Sequence, residues 1–227
     1  MTDHPEEMAE FFNQRSKGYD QHMEENVDGF SDFYHQVAKP LPETKQELRI
    51  LDLGCGTGLE LEGVFQRVPN AQITAVDLSP GMLAELERKN SSRLEQIELI
   101  QGSYLDLDLP EERFDFVISV MTLHHLLPET KLALYGRIYR TLKSGGSYIE
   151  GDYLVLEQKM LELRERYHQW LAYSPHSDPG EYHLDIPLTL SLQRELLKTA
   201  GFTDSQVIWQ QDEAAVIVAS KDSASGG

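Results

Sequence analysis

The chain has 227 residues, 40% of them hydrophobic, with 38 acidic against 20 basic residues and a net charge of −18. That length suits one domain with a full core, and the charge, with no Lys/Arg-rich run to offset it, argues against nucleic acid or anionic lipid as a partner. No apolar run approaches the roughly 20 residues of a membrane span, the acidic start lacks the basic and apolar regions of a signal peptide, and the single Cys55 leaves no internal disulfide, so a cytoplasmic setting is expected.

Residues 1–45 read as a helical arm. Met8, Phe11 and Phe12 offer one apolar stripe, and Phe30, Phe33, Tyr34 and Val37 follow the spacing of a buried helix face. Pro40 and Pro42 break the pattern. From Leu48, strands and helices alternate. "LRILDLG" is an apolar strand, 58–68 a helix and "AQITAVD" a strand. Ser79 and Pro80 supply an N-cap and a proline at the first helical position, opening a helix to Asn90. "QIELIQG" and "FDFVISV" are strands; 129–142 is a helix stopped by "KSGGS"; "YIEGDY" is the next strand. Apolar strands alternating with helices predict a doubly wound α/β fold with a mostly parallel sheet.

The pattern changes after Asp152. Met160, Leu163, Tyr167 and Trp170 mark an amphipathic helix, and 174–187 is irregular. A helical cap over 153–189 is therefore expected within a main domain of 46–221. Residues 190–200 are helical up to Gly201. "SQVIWQ" and "AAVIVAS" predict an antiparallel hairpin at the sheet edge, and the tail 222–227 is expected to be disordered.

The stretch "LDLGCGTGLELE" joins the first strand to the first helix and holds Gly54, Gly56 and Gly58. Ligands of open α/β sheets bind at the carboxyl ends of the strands, and glycines there let a ligand approach the backbone. Asp77 ends the next strand, placed to accept hydrogen bonds from both ribose hydroxyls. Together these point to an adenosine cofactor. A dinucleotide loop reads G-x-G-x-x-G, with a diphosphate at the helix N-terminus. Here the spacing is G-x-G-x-G, and Asp52, Glu60 and Glu62 surround it. A cofactor carrying an ammonium and a sulfonium suits that surround better than two phosphates.

At these residues the chain resembles the class I S-adenosylmethionine (SAM)-dependent methyltransferases. "LDLGCGTG", "AVDLSPGML", "FDFVISVMTLHHL" and "LKSGGSYIEGD" look like successive motifs of that superfamily, and the terminal strands like its reversed edge. The fold implied is Rossmann-like, with seven strands. The resemblance implies that Asp52, Gly54, Cys55 and Gly56 lie near the methionine part of SAM. Asp77 would hold the ribose, Leu78 and Met82 would flank the adenine, and Val120 would lie beside the methionine end. Many relatives carry an Asp where this chain has Ser103, which leaves Ser103, Tyr104 and Asp106 as alternatives for the base. Tyr19, in a Tyr-Asp pair of the arm, would close over SAM with Arg15 nearby.

Methyl transfer from a sulfonium needs alignment and exclusion of water, with a general base only when the acceptor must lose a proton. His124 and His125 follow the fourth strand at the ligand-binding edge and are the candidate bases. His183 and Asp185 form a second polar cluster, and Tyr153, Tyr182 and His183 are candidate substrate contacts. With Glu150, Asp152 and the histidine pair, that cluster invites thought of a metal, but no spacing matches a ligand motif such as H-E-x-x-H, so none is expected. The acceptor expected is a small molecule. The competing readings are a nucleoside in tRNA or rRNA, a SAM-binding protein without turnover, and a nucleotide-dependent reductase. The aromatic arm also offers a face for a second copy of the chain.

Overall fold

The computed structural model describes residues 6–27, 29–173 and 182–223, apart from the side chains of 171–173. The arm holds α1 (Met8–Arg15), α2 (Tyr19–Asn26) and α3 (Phe30–Ala38). The body runs β1 (Arg49–Leu53), α4 (Leu61–Arg67), β2 (Gln72–Asp77), α5 (Pro80–Lys89), β3 (Ile97–Gln101), β4 (Phe114–Val120), α6 (Pro128–Thr141) and β5 (Leu142–Tyr153). It continues with α7 (Glu157–Tyr173), α8 (Leu190–Ala200), β6 (Asp204–Gln211) and β7 (Ala214–Ser220). Within the irregular stretch, 174–181 lie outside the described residues, as do 224–227 of the tail. Asp222 is tied down, its carboxylate accepting from Thr203 Oγ1 at 2.7 Å.

The seven strands form one sheet in the order β3-β2-β1-β4-β5-β7-β6. Strands β1 to β5 pair in parallel, and β7 runs antiparallel to both neighbours. The chain reverses direction in strand order between β1 and β4, which opens a crevice above their carboxyl ends. The last two strands are the expected hairpin, but β7 inserts between β5 and β6, so β6 is the edge. Edge strand β6 alternates exposed and half-buried residues, whereas β7 is almost wholly buried.

Two elements differ from the sequence reading. "KSGGS" does not end before a short strand; β5 begins at Leu142 and runs through it. The register shift beside Phe114 accommodates the extra residues as a bulge. The helix expected from Gly58 starts at Leu61, because the loop needs its glycines in a left-handed conformation that a helix excludes.

Both faces of the sheet are covered. Phe33, Val37, Leu61, Val64, Phe65, Leu83 and Leu86 pack on one, and Leu134, Tyr135, Ile138, Leu196 and Leu197 on the other. Helix α3 thus belongs to the core. Phe33 and Val37 have no exposed surface, and a Cβ on Gly151 would lie 2.8 Å from Val37 Cγ2. Helix α1 meets α5 closely: Gly81 N donates to Asn13 Oδ1 at 2.9 Å.

Candidate functional site

The bend after β1 is built from backbone alone. Gly54 and Cys55 both donate N–H groups to Val76 O, at 2.8 and 3.0 Å. Gly54 sits at φ +68, and a Cβ there would overlap the Thr122 side chain. Gly56 sits at φ +49, where a Cβ would meet only Tyr19, at 3.8 Å. The first glycine is therefore required by packing, and the second leaves its backbone open to a ligand.

Asp77 closes the bend from the neighbouring strand. Its Oδ2 accepts from Gly56 N and its Oδ1 from Ser79 N, both at 2.8 Å. Burial raises its pKa, and the two N–H groups oppose that shift. Beyond Asp77, Ser79 caps α5 by accepting from Met82 N at 3.2 Å.

These residues line a chamber at the carboxyl ends of the strands. Gly54, Gly56, Asp77, Leu78, Met82, Ser103, Tyr104, Tyr19 and His125 all border it. The sequence reading missed Met8 and Phe12 from the arm, and Met121 and Thr122 from the end of β4. Val120 is buried one residue before that lining, and Met121 takes its place. Met121 holds φ +49, an uncommon conformation for a side chain of its size. Of the three alternatives for the base, Ser103 and Tyr104 border the chamber, and Asp106 is exposed. Tyr104 OH lies 3.3 Å from Thr122 O. Cys55 is buried in the core, with its thiol pKa pushed up by burial.

Beneath the bend lie two carboxyls with little solvent. Asp52 is 1% exposed and Glu60 4%, while Glu62 points outward. Neither oxygen of Asp52, nor Oε1 of Glu60, meets an N–H or O–H donor among the described residues. Burial raises both pKa values, and the neighbouring Glu60 charge raises that of Asp52 further. Buried carboxylates without donors beside an open glycine bend fit a cationic cofactor such as SAM and oppose a diphosphate.

A second chamber adjoins the first and shares Phe12, Tyr19, Met121 and His125 with it. Its polar end gathers His124, His125, His183 and Asp185. His124 Nδ1 lies 2.6 Å from Asp152 Oδ1. Asp152 is fixed in turn by the backbone, accepting from Leu123 N at 3.0 Å and Tyr153 N at 2.8 Å. His124 Nε2 lies 3.6 Å, and His125 Nδ1 3.2 Å, from Asp185 Oδ1. His183 stacks on Phe11 with ring centres 3.6 Å apart. Tyr153 lines this chamber, whereas Tyr182 packs on Trp170 and pairs with Glu7 of the arm.

Burial works against a charged His124, but Asp152's charge and hydrogen bond outweigh it and hold the pKa above its ordinary value. Burial and the His124 charge lower that of His125. Burial and then His125 push His183 down to about 4. Asp185, despite burial, is held well below the usual carboxylate range by the His125 hydrogen bond and the His124 charge. The end thus gathers neighbouring imidazoles whose pKa values are pushed in opposite directions.

The arm forms the roof. Phe12 and Tyr19 face both chambers. Asp20 Oδ2 holds Lys89 Nζ at 2.6 Å, and Thr57 Oγ1 donates to Asp20 Oδ1. Arg15 borders the second chamber, bonded to Glu6 at 3.0 and 3.2 Å with its guanidinium over Phe11.

Comparison with known proteins agrees with this architecture. Residues 50–146 match the family described as Methyltransferase domain. The chain is 29% identical over 186 residues to a carboxy-S-adenosyl-L-methionine synthase of Campylobacter hominis, covering 78% of this chain and 79% of that protein. It is 31% identical over 190 residues to the protein of that name in Trichlorobacter lovleyi, covering 75% of each. Among solved structures, a putative O-methyltransferase from Nostoc punctiforme superposes with a TM-score of 0.71 at 20% identity, over 97% of this chain and 63% of that one. No helix among the described residues is long and apolar enough to cross a membrane. The glycine bend, the acid that closes it and these relatives together place the chain in the class I SAM-dependent methyltransferases, an enzyme family that uses SAM.

Proposed function

We propose that this enzyme transfers the methyl group of SAM to a small molecule held in the second chamber. The observation that carries the reading is the junction of the two chambers at Phe12, Tyr19, Met121 and His125. When bound, SAM supplies a methyl group activated by a positive sulfur and a neutral leaving group. Asp77 holds the ribose, the bend from Gly54 to Gly56 receives the amino-acid part, and Asp52 and Glu60 favour its positive charge. Leu78, Met82, Ser103 and Tyr104 surround the base. The arm, through Phe12 and Tyr19, excludes water and aligns the acceptor, a contribution of several kcal/mol in well-oriented systems. The acceptor atom loses its proton at the imidazole–carboxylate end, where His124 and His125 meet Asp152 and Asp185.

The net charge of −18 supports a small acceptor over RNA. The relatives' name suggests a second reading, in which SAM itself becomes carboxylated. A carboxylate formed beside the sulfonium calls for a cation, and Arg15, the only Lys or Arg among the described residues that borders the second chamber, is already bound by Glu6.

Methyl-labelled SAM, supplied with small hydroxyl, thiol and amine compounds or with bulk RNA, tests the proposal. Label transfer to a small compound with release of S-adenosylhomocysteine is expected. Transfer confined to RNA, lost with added salt, would overturn it. So would a mass gain on SAM itself in place of methyl release.

A further inference from the structure

We infer that His124, His125 and Asp185 form a binding site for one divalent transition-metal ion, of the zinc or cobalt type, at the acceptor end of the second chamber. This deepens the proposed function: the histidines act on the acceptor's proton through the metal. The chain spacing gave no reason to expect it, since the three residues come together only in the fold.

The geometry is the first support. His124, His125 and Asp185 each offer a donor atom, and these atoms lie within 4.8 Å of one another. Asp185 Oδ1 is 3.6 Å from His124 Nε2 and 3.2 Å from His125 Nδ1. With metal–ligand distances of about 2.1 Å, such separations correspond to ligand–metal–ligand angles of roughly 100–120°, close to tetrahedral. The two histidine donors share the ion once they stand within about 4.2 Å of each other, twice the metal–ligand distance.

The second support is the layer behind the ligands. Asp152 accepts from His124 Nδ1 at 2.6 Å, which directs Nε2 and its lone pair towards Asp185. A carboxylate behind a ligating imidazole fixes its tautomer and raises its basicity. Asp152 is itself held by two backbone N–H groups. The segment carrying Asp185 is clamped to the histidine pair, with Ile186 N donating to His124 O at 2.8 Å. His125 Nδ1 also lies 3.2 Å from Leu184 O, so the proton that bridges these atoms in the free protein leaves when the metal enters.

The third support is chemical. Two imidazoles and one carboxylate suit borderline divalent ions. Three protein ligands leave coordination positions open, as in catalytic rather than structural sites. An acceptor hydroxyl bound there loses its proton to solvent more readily, because the cation stabilises the oxyanion. That oxygen then attacks the methyl carbon; a C–O bond forms, the C–S bond breaks, and its electron pair stays on sulfur.

The test is a titration of chelator-treated full-length protein with cobalt(II), read by visible absorption and calorimetry. One equivalent with a distorted-tetrahedral spectrum is expected. Asp185→Asn and His124→Ala should each weaken binding at least about tenfold, and Asp152→Asn by a comparable factor through the orientation of His124. The Asp185 side chain is 55% exposed, so its variant should keep the fold even if the His124 variant does not. Calorimetry with S-adenosylhomocysteine runs beside these. No cobalt uptake by wild type, or uptake that Asp185→Asn leaves unchanged, overturns the metal site while cofactor binding stands. Loss of S-adenosylhomocysteine binding by the wild type would instead sink the functional reading beneath it.

Discussion

Asp77 Oδ2 accepts the N–H of Gly56 at 2.8 Å, so the acid that ends β2 and the bend that follows β1 form one unit. The acid proposed to bind the ribose thereby also holds the loop proposed to approach the rest of the cofactor. Asp77→Ala leaves two backbone donors without their acceptor, a loss of roughly 1–3 kcal/mol for buried groups. The variant should melt earlier and bind S-adenosylhomocysteine at least about tenfold more weakly, given the strength of hydrogen bonds to a charged group. Calorimetry and thermal denaturation measure the two effects. Unchanged affinity would contradict the ribose assignment.

Asp52 and Glu60 make stability depend on pH. Their folded pKa values lie above the ordinary carboxylate range, because burial disfavours the charged form. The folded state therefore holds a proton that the unfolded chain releases. The contribution is fully present below about pH 4 and is lost as pH rises through the folded values. Asp52→Asn should stabilise the free protein near pH 8, by roughly 1–3 kcal/mol, and flatten its slope from pH 5 upwards. It should also weaken SAM binding, since a cation loses its counter-charge. Urea midpoints at the two pH values check the sign; an Asn variant with the wild-type slope would refute it.

Gly54 and Gly56 should respond differently to alanine. Both have positive φ, which costs about 1–2 kcal/mol for a residue with a side chain. Gly54→Ala also drives a methyl group into Thr122, so its stability loss should be the larger. Gly56→Ala meets only Tyr19 and should fold, yet bind S-adenosylhomocysteine poorly because the methyl enters the chamber. Equal stabilities for the two variants, with cofactor binding retained in the second, would show that the bend does not face the cofactor.

Asp20 joins the arm to the body through Lys89 and Thr57. The ion pair is partly exposed, 25% at Lys89 and 42% at Asp20, so it contributes only about 0.2–1 kcal/mol. Asp20→Ala should shift the melting temperature little. Cofactor affinity should fall by roughly two- to fivefold, as that energy implies, with faster proteolysis between Glu6 and Tyr19. An arm as protected as in the wild type would argue that α3 and the Asn13–Gly81 contact suffice.

Much of the sheet was legible in the sequence, because the core strands carry their own signal. "FDFVISV" reads as a strand with apolar residues on both faces, and β4 spans those seven residues. Ser79 and Pro80 announce the start of α5 through local capping chemistry. "KSGGS" misled for the same local reason: its glycines are turn residues by propensity, yet pairing with β4 draws them into β5. Phe12 and Met8 could be read as an apolar stripe, but nothing in the arm says that they roof a chamber over residues far along the chain.

The sequence by itself determined the alternation of strands and helices, the glycine bend and its acid. The elements rest on local capping or a periodic burial pattern, and the bend and its acid on a glycine spacing and an acid one strand later. Tertiary structure decided the imidazole–carboxylate end of the second chamber. His124, Asp152 and Asp185 meet because β4 and β5 are adjacent in the sheet and the segment after α7 returns across their ends. Side chains so far apart in the chain share no local periodicity; only the closing of the fold, driven by burial on both sheet faces, sets the distances between them.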